Sequence, residues 1–429
     1  MNLILSGPAG GVLGAVEFAR LAREPNLITI DMGGTSLDAS LVVGGEALVQ
    51  HEASFEGLPI MVPSLEIHTI GAGGGSVLWA DAGGHLQVGP HSAGARPGPA
   101  AYGIGGAEAT ITDAALVCGY LSPESALAGT LRLDSDLAST AVANLAVGLG
   151  IDAQDVAAGA MQIAVTKTAG AVRAITVDQG YTPSDFGLLA FGGAGGLVAT
   201  SVARELQVSR VIVPRGAGSF SAWGMLMANV HHELAQTFVA ELDRCDAERI
   251  DRVLLAMEAD GRRALKDDGF DEGKQRFLRL ADLRYKGQEH SVTIGVARSV
   301  DKAEVLRLKS AFSRAHGQRY GHALDDPVEI VTLRSRAVGV VARPPMPKVP
   351  ARSGDALASI GARRVYAGTG KWSTYGVYRY GDLRAGDVVV GPAIVDDTTG
   401  TTVLHSGDSG RVGTMGELQI SVVGASHGS

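Results

Sequence analysis

This sequence predicts an α/β protein, and three observations carry that reading. Buried apolar runs such as Leu27-Ile28-Thr29-Ile30 and "DFGLLAF" alternate with glycine turns and helical stretches, as strands and helices packed in layers do. Residues 134 to 180 are alanine-rich with helical periodicity. With 45% hydrophobic residues in a chain of 429, there is enough apolar material for large cores, in two or three domains at ~100–200 residues each. A net charge of −8 speaks against general nucleic-acid or membrane-surface binding. No apolar run reaches the ~18 residues of a membrane span. Cys118 and Cys245, the two cysteines, give no metal-site spacing and fit a reducing compartment. The N-terminus shows no basic region followed by a cleavage signal, so a cytoplasmic location is expected.

The elements follow in order. A short apolar run at 3–5 reads as a strand leading into "SGPAGGVLGAVEFARLA", where Ser6 can cap a helix and Pro8 suits its first turn. Gly10, Gly11 and Gly14 strip one face, so that helix can lie close against another backbone; loop glycines with a later helix start are the competing reading. "ITIDMGGTSLDASLVVGG", residues 28–45, is two buried strands joined by an acid and a glycine pair. A plain hairpin accounts for the glycines. Yet an Asp at the end of a buried strand must be desolvated, paired or bound to a cation. The hydroxyls of Thr35 and Ser36, beside bare glycine amides, offer donors to an anion. Asp for magnesium and donors for phosphate outline a nucleotide site, although the common phosphate loop is absent because no Gly-Lys-Ser/Thr follows and no helix opens there.

Residues 57–113 are rich in glycine and proline, with a hairpin alternation at 77–88 and ordered loops elsewhere. His68, His85 and His91 share no metal-ligand spacing. Two packed helices are predicted over 134–180. "DFGLLAFGGAGGLVATSVARELQV" then reads as buried strand, glycine turn and helix, "VSRVIVP" as another strand, and "GAGSFSAWGMLMANV" as a small-residue turn entering a helix. Charges multiply after about residue 232. Helices are expected within 235–280 and at 302–322, antiparallel strands in "FLRLADLRYKGQEHSVTIGV" and "VEIVTLRSRAVGVVA", a proline-rich linker in "RPPMPKVPARSG", and short strands over 360–422. This divides the chain into 1–232, 233–345 and 346–429.

As an ordered set, the small-residue turns at 7–19, 31–38, 191–205 and 218–224 resemble the connecting and nucleotide-binding segments of the actin, hexokinase and Hsp70 superfamily. More closely, "SGPAGG", "DMGGTS", "IGAGGGS", "VGPHSAGARPGPAAYG", "TITDA", "FGGAG", "SAWG", "LRYKGQE", "RYGH" and "GPAIV", in this order from residue 3 to about 420, resemble the hydantoinase A and 5-oxoprolinase family. Three positions depart from the family's usual residues. Leu37 stands where Thr is usual, Ala101 where Cys is usual, which counts against cysteine chemistry at that loop, and Gly196 where Pro is frequent.

The resemblance implies an actin-like ATPase lobe with a nucleotide-binding hairpin, followed by an α+β region and a β-rich C-terminal module. It implies an ATP-dependent hydrolase of cyclic amides, using ATP and Mg2+, which phosphorylates the amide oxygen of a hydantoin or lactam before ring opening. A hydantoinase B-type subunit is the implied partner. An ATP-dependent ketone carboxylase subunit, or a non-catalytic partner-binding chain, are the alternatives. Full-length members begin with a further lobe bearing a phosphate loop. That lobe is expected in another polypeptide or in a longer chain, and this chain alone is expected to bind ATP weakly and hydrolyse none.

Within that frame Asp31 suits a magnesium ligand or a group orienting a nucleophile. Asp38 is the second candidate catalytic acid, supporting Thr35 or the metal's waters, with a structural turn role as the competing reading. Gly33, Gly34, Thr35 and Ser36 suit the phosphates. Gly192, Gly193, Ala194 and Gly195 suit a flat loop beneath adenosine and ribose, with close strand–helix packing as the competing reading. The successive amides of Gly73, Gly74 and Gly75, with Ser76, are the substrate-side candidates. Arg96 is the nearest fixed positive charge, and a surface ion pair is its competing reading.

Overall fold

The computed structural model describes residues 6–50, 53–55, 58–60, 64–124, 131–368 and 370–424; the strand expected at 3–5 lies outside them. The chain forms two compact units. One comprises residues up to Met227 together with Pro344 onward, the other Ala228–Arg343.

The first unit opens with helix α1 (Ser6–Ala22). A hairpin follows, β1 (Leu27–Met32) and β2 (Leu37–Val43), in which Asp31 stands directly across from Asp38. β1 is apolar because it lies in the middle of the sheet: Leu27, Ile28, Ile30 and Met32 are fully buried, each worth ~1.5–3 kcal/mol on the usual transfer scale, an upper bound. A second hairpin, β3 (Ser76–Ala80) and β4 (Leu86–Ser92), matches the alternation at 77–88. Helices α2 (Ile111–Val117), α3 (Ser135–Leu149) and α4 (Ala153–Val177) come next. The alanine-rich stretch is thus two helices, with Ala138, Ala141, Ala157, Ala160 and Ala164 buried in the main core. β5 (Gly187–Phe191), α5 (Gly195–Glu205), β6 (Arg210–Val213) and the short α6 (Phe220–Met225) complete the first pass.

β5 runs parallel to β1, and β6 parallel to β5, so the central order is β2–β1–β5–β6 with β2 antiparallel. Parallel neighbours and a strand–helix–strand crossover put both faces under cover, which is why these strands read as continuous apolar runs. α1 crosses α6 closely. A Cβ on Gly10 would lie 2.5 Å from the Ser221 carbonyl oxygen, and one on Gly224 only 1.8 Å from that of Gly10. The glycine-stripped face is therefore where two backbones meet.

The second unit is a four-stranded antiparallel sheet with two helices. Its strands are β7 (Val230–Glu241), β8 (Gln275–Tyr285), β9 (Val292–Val296) and β10 (Val328–Gly339), in the order β7–β10–β8–β9. Its helices are α7 (Ala247–Asp267) and α8 (Lys302–Tyr320). Phe238, Leu254, Leu283, Tyr285, Phe312 and Ile330 build a core of its own. The buried Arg279 is matched by Glu258 at 2.6 Å and Asp251 at 2.7 Å.

After Arg343 the chain returns to the first unit. Of its later strands, β11 (Gly361–Tyr366), β12 (Trp372–Arg379), β14 (Ala393–Asp396) and β15 (Thr401–Leu404) form a separate four-stranded sheet. By contrast β13 (Val388–Val390), β16 (Ser409–Val412) and β17 (Leu418–Ser421) extend the main sheet, β17 pairing antiparallel with β6. The stretch expected as a C-terminal module of its own, 346–429, thus falls within the first unit and adds three strands to its main sheet. The reason is an open edge: β6 has a free side, and Ile420 and Leu418, both fully buried, close it.

Candidate active site

Asp31, the penultimate residue of β1, lies beside the end of β5, where Phe191 is its parallel neighbour. The turns leaving both strands, 33–36 and 192–194, therefore emerge at one edge of the sheet. Ala194 N–H donates to the Met32 carbonyl at 2.9 Å, and Gly192 N–H to that of Ala217 at 3.0 Å. Gly192 has φ 79°, and a Cβ there would fall 2.4 Å from Asp31 Oδ1. Two stretches far apart in sequence are thus brought together at Asp31.

Asp31 is half-buried. Its Oδ2 accepts a hydrogen bond from the Ser221 hydroxyl at 2.7 Å. Burial raises its pKa above the ordinary carboxylate range; the Ser221 hydroxyl opposes this and the charge of Asp38 adds to it. Asp38 is also raised by burial, opposed by the Thr69 hydroxyl, which donates to its Oδ1 at 2.5 Å. Two half-buried acids face each other across the hairpin. Their side-chain partners among the described residues are hydroxyls, with no cationic side chain bonded to either. An acid pair left in that state is one a cation would neutralise. No group of three or more His, Cys, Asp or Glu that could hold a metal occurs among the described residues. Magnesium is commonly held through one or two carboxylates plus phosphate and water rather than an all-protein cage.

The turn itself is open: Gly34 and Thr35 are exposed, Gly33 and Ser36 half-buried. Gly33 N–H donates to the Ser36 carbonyl at 3.1 Å, closing it. The substrate-side reading of Gly73–Ser76 needs correction. All four residues are buried, and their amides are used within the fold. Gly73 N–H donates to Ser76 Oγ at 2.8 Å. Gly74 and Gly75 donate to the carbonyls of Gly33 and Gly34 at 3.0 and 2.5 Å, and Ser76 to that of Gly73 at 3.0 Å. The loop therefore underlies the phosphate-side turn instead of presenting amides to a ligand. Sequence reads the string of glycines but cannot show that their amides are already paired.

Gly193 and Gly195 share the second turn. The side of Gly193 faces Thr399, whose carbonyl oxygen would lie 3.3 Å from a Cβ there, and Gly195 begins α5 beneath Ala190. Each close approach at this turn is to the chain itself. Packing is tight at Gly193, while the nearest atoms to a Cβ on Gly195, at 3.6 Å and beyond, are at ordinary contact distance. Arg96 is exposed and makes no ion pair among the described residues.

Sequence reasoning missed Ser221, Thr69 and Thr112. The Thr112 hydroxyl and N–H both donate to the Gly74 carbonyl at 2.8 Å, tying the start of α2 to the glycine loop. "SAWG" and "TITDA" were the available signals, since each puts a hydroxyl inside a motif otherwise explained by packing.

Residues 1–234 match the family model described as hydantoinase/oxoprolinase, and residues 238–416 match that of the hydantoinase/oxoprolinase C-terminal domain. Caprolactamase subunit alpha of Pseudomonas jessenii is 31% identical over 415 residues, covering 95% of this chain and 60% of that protein. The 5-oxoprolinase of Saccharomyces cerevisiae is 33% identical over 430 residues, covering 94% of this chain and 33% of that protein. A solved nucleotide-free structure of acetone carboxylase, from work on ATP-dependent acetone carboxylation, superposes with a TM-score of 0.82 at 25% identity over 97% of this chain and 61% of its own. The chain thus spans about a third to three fifths of the length of these proteins.

Proposed function

The chain belongs to the hydantoinase/oxoprolinase family, and on that premise we propose that it is the part of an ATP-dependent cyclic-amide hydrolase that grips the phosphates of ATP. The observation that carries the reading is the Asp31–Asp38 pair, half-buried without a cationic partner and set beside an open Gly33–Ser36 turn. The order β2–β1–β5–β6, with glycine turns leaving β1 and β5 at one edge and helices α1 and α6 crossing, supports an actin-like lobe.

An amide is a poor electrophile. When its oxygen attacks the γ-phosphorus of ATP, ADP leaves and the oxygen becomes part of a good leaving group. Water then adds at the ring carbon, the ring C–N bond breaks as nitrogen takes a proton, and a second water hydrolyses the resulting acyl phosphate to the carboxylate and free phosphate. Such transfer asks the protein mainly for positioning and charge neutralisation. Gly33, Gly34, Thr35 and Ser36 offer amide and hydroxyl donors to the phosphates. Asp31 would hold magnesium, which would supply positive charge at the phosphates. Ser221 orients Asp31, and Asp38, anchored by Thr69, keeps a second acid facing it. Gly73–Ser76 fix the turn from below. Gly192–Gly195 line the second turn, toward the ribose side.

A partner subunit of hydantoinase B type, together with the further lobe that bears a phosphate loop, supplies the remainder of the enzyme. Two free cysteines and the use of ATP favour the cytoplasm as its place. No helix among the described residues is long and apolar enough to cross a membrane. The test is product analysis by the complete assembly with ATP and magnesium. Hydantoin, 5-oxoproline and caprolactam are offered separately, with acetone and labelled bicarbonate in a parallel reaction. Ring-opened acid formed with stoichiometric ADP supports the proposal. Label fixed from bicarbonate, with no ring opening, replaces it by the carboxylase reading.

A further inference from the structure

We propose that the first unit carries a second ligand site, separate from the Asp31 turn, for a small organic anion bearing a flat ring. On the far side of α6 lies a cavity of about 670 Å³, within the ~300–1,000 Å³ range of small-molecule sites. Its apolar wall is Phe220, Trp223 and Met415, and its rim carries Arg215, Lys348 and Arg384. The Phe220 and Trp223 rings stand 5.3 Å apart at 38°, so Trp223, half-buried, presents part of its ring to the space.

The charge pattern names the ligand. No Asp or Glu lines this cavity, in a chain whose net charge is −8. Arg215 and Lys348 are exposed, and neither makes an ion pair or a side-chain hydrogen bond with the described residues. The Arg215 stem lies over Gly416, where a Cβ would meet its Cδ at 3.0 Å. Arg384 spends one nitrogen, Nη1, on the carbonyls of Gly381 and Leu383, each at 3.0 Å, leaving the rest of its guanidinium for an acceptor. Three cations over an aromatic floor suit a phosphate, sulfonate or carboxylate attached to a ring, the anion taken by the rim and the ring stacked on the wall. None of the residues around Asp31 lines this space, so the inference stands independently of the nucleotide reading. A ligand there bears on α6, the helix whose Ser221 supports Asp31.

Isothermal titration calorimetry with 1-naphthyl phosphate as the probe tests it on the full chain. One-to-one saturable binding is expected. The double variant Arg215→Gln/Lys348→Gln, which alters exposed side chains and leaves the melting temperature in place, should weaken it at least about tenfold. Trp223→Ala should weaken it at least about threefold. Arg262→Gln/Arg263→Gln, on α7 of the second unit, should leave it within about twofold. 1-Naphthol and inorganic phosphate should each bind at least about tenfold more weakly than the probe. The proposal is overturned by absence of saturable binding, by equal affinity in the Arg215/Lys348 variant, or by inorganic phosphate binding as well as the ring compound. If Trp223→Ala binds only as weakly as a folding-defective control, Trp223→Phe decides, because it keeps a ring on the wall and should restore most of the affinity.

Discussion

The two glycine turns at the Asp31 edge use the same residue for opposite reasons. At the second, a Cβ on Gly192 would strike Asp31 Oδ1 at 2.4 Å and the Met32 carbonyl oxygen at 2.5 Å, and the backbone there has φ 79°. One on Gly196 would meet the Thr401 carbonyl oxygen at 2.6 Å. At the first, a Cβ on Gly34 would meet nothing within 4 Å, and one on Gly33 only the Ser36 carbonyl oxygen at 3.9 Å. Neither Gly33 nor Gly34 has a positive φ. The fold demands glycine at Gly192 and tolerates a side chain at Gly33 and Gly34. Glycines that the chain's own packing does not require are the ones a ligand would explain.

Asp31→Asn gives the largest expected effect, because it removes the charge that would bind magnesium while keeping the side chain's shape. In the complete assembly, ATP turnover should fall by about a hundredfold or more, a few kcal/mol of lost charge stabilisation, with thermal unfolding unchanged. Normal magnesium-dependent turnover would reduce Asp31 to a turn residue and erase the distinction between the turns.

A pair of alanine substitutions addresses the contrast directly. Gly192→Ala should cost about 2–4 kcal/mol in denaturant unfolding, through strain and overlap with Asp31. Gly34→Ala should be neutral or gain up to about 1 kcal/mol by restricting the unfolded chain. Its ATP turnover should still drop about tenfold or more as a methyl group enters the phosphate space. Gly34→Ala with both stability and turnover intact would leave the first turn without a ligand to explain its glycines.

The acid pair adds a pH signature. The Ser221 hydroxyl lowers a pKa that burial raises, so Ser221→Ala should push it higher still. On the proposed function the ionised carboxylate would bind magnesium, and activity would be lost as pH falls through the Asp31 pKa. The acidic limb of the turnover profile should therefore move to higher pH in the variant. An unmoved limb would mean that Asp31 is not the group titrating.

Thr399→Val carries the smallest effect and probes the packed turn alone. Thr399 Oγ1 is buried with no hydrogen-bond partner, beside the position a Gly218 Cβ would take. Replacing an unpaired hydroxyl by a methyl group should be neutral or stabilising by about 0.5–1 kcal/mol in the same unfolding assay. A clear loss of stability would show that this hydroxyl has a partner and that the second turn is wetter than its packing suggests.

Much of this was determined by the sequence alone. Apolar runs at 27–32 and 187–191 had to be strands buried on both faces. The alanine periodicity at 134–180 pointed to packed helices, and the glycine-stripped face of α1 could lie close against a backbone. Each of these is a local pattern whose physics needs no distant partner. Asp31 was legible too, since an acid ending an apolar strand is costly wherever the strand goes. What only the tertiary structure decided depends on residues far apart in the chain. The amides of Gly74 and Gly75 look bare until the carbonyls of Gly33 and Gly34 are laid over them. Ser221 is one small residue among several until α6 brings it to Asp31 across 190 positions. The final strands read as a module of their own until the open side of β6 takes up β17. Spacing and composition record which groups are available to bond. Which group they bond is settled by packing, because a buried donor or acceptor must find its partner wherever the fold puts one.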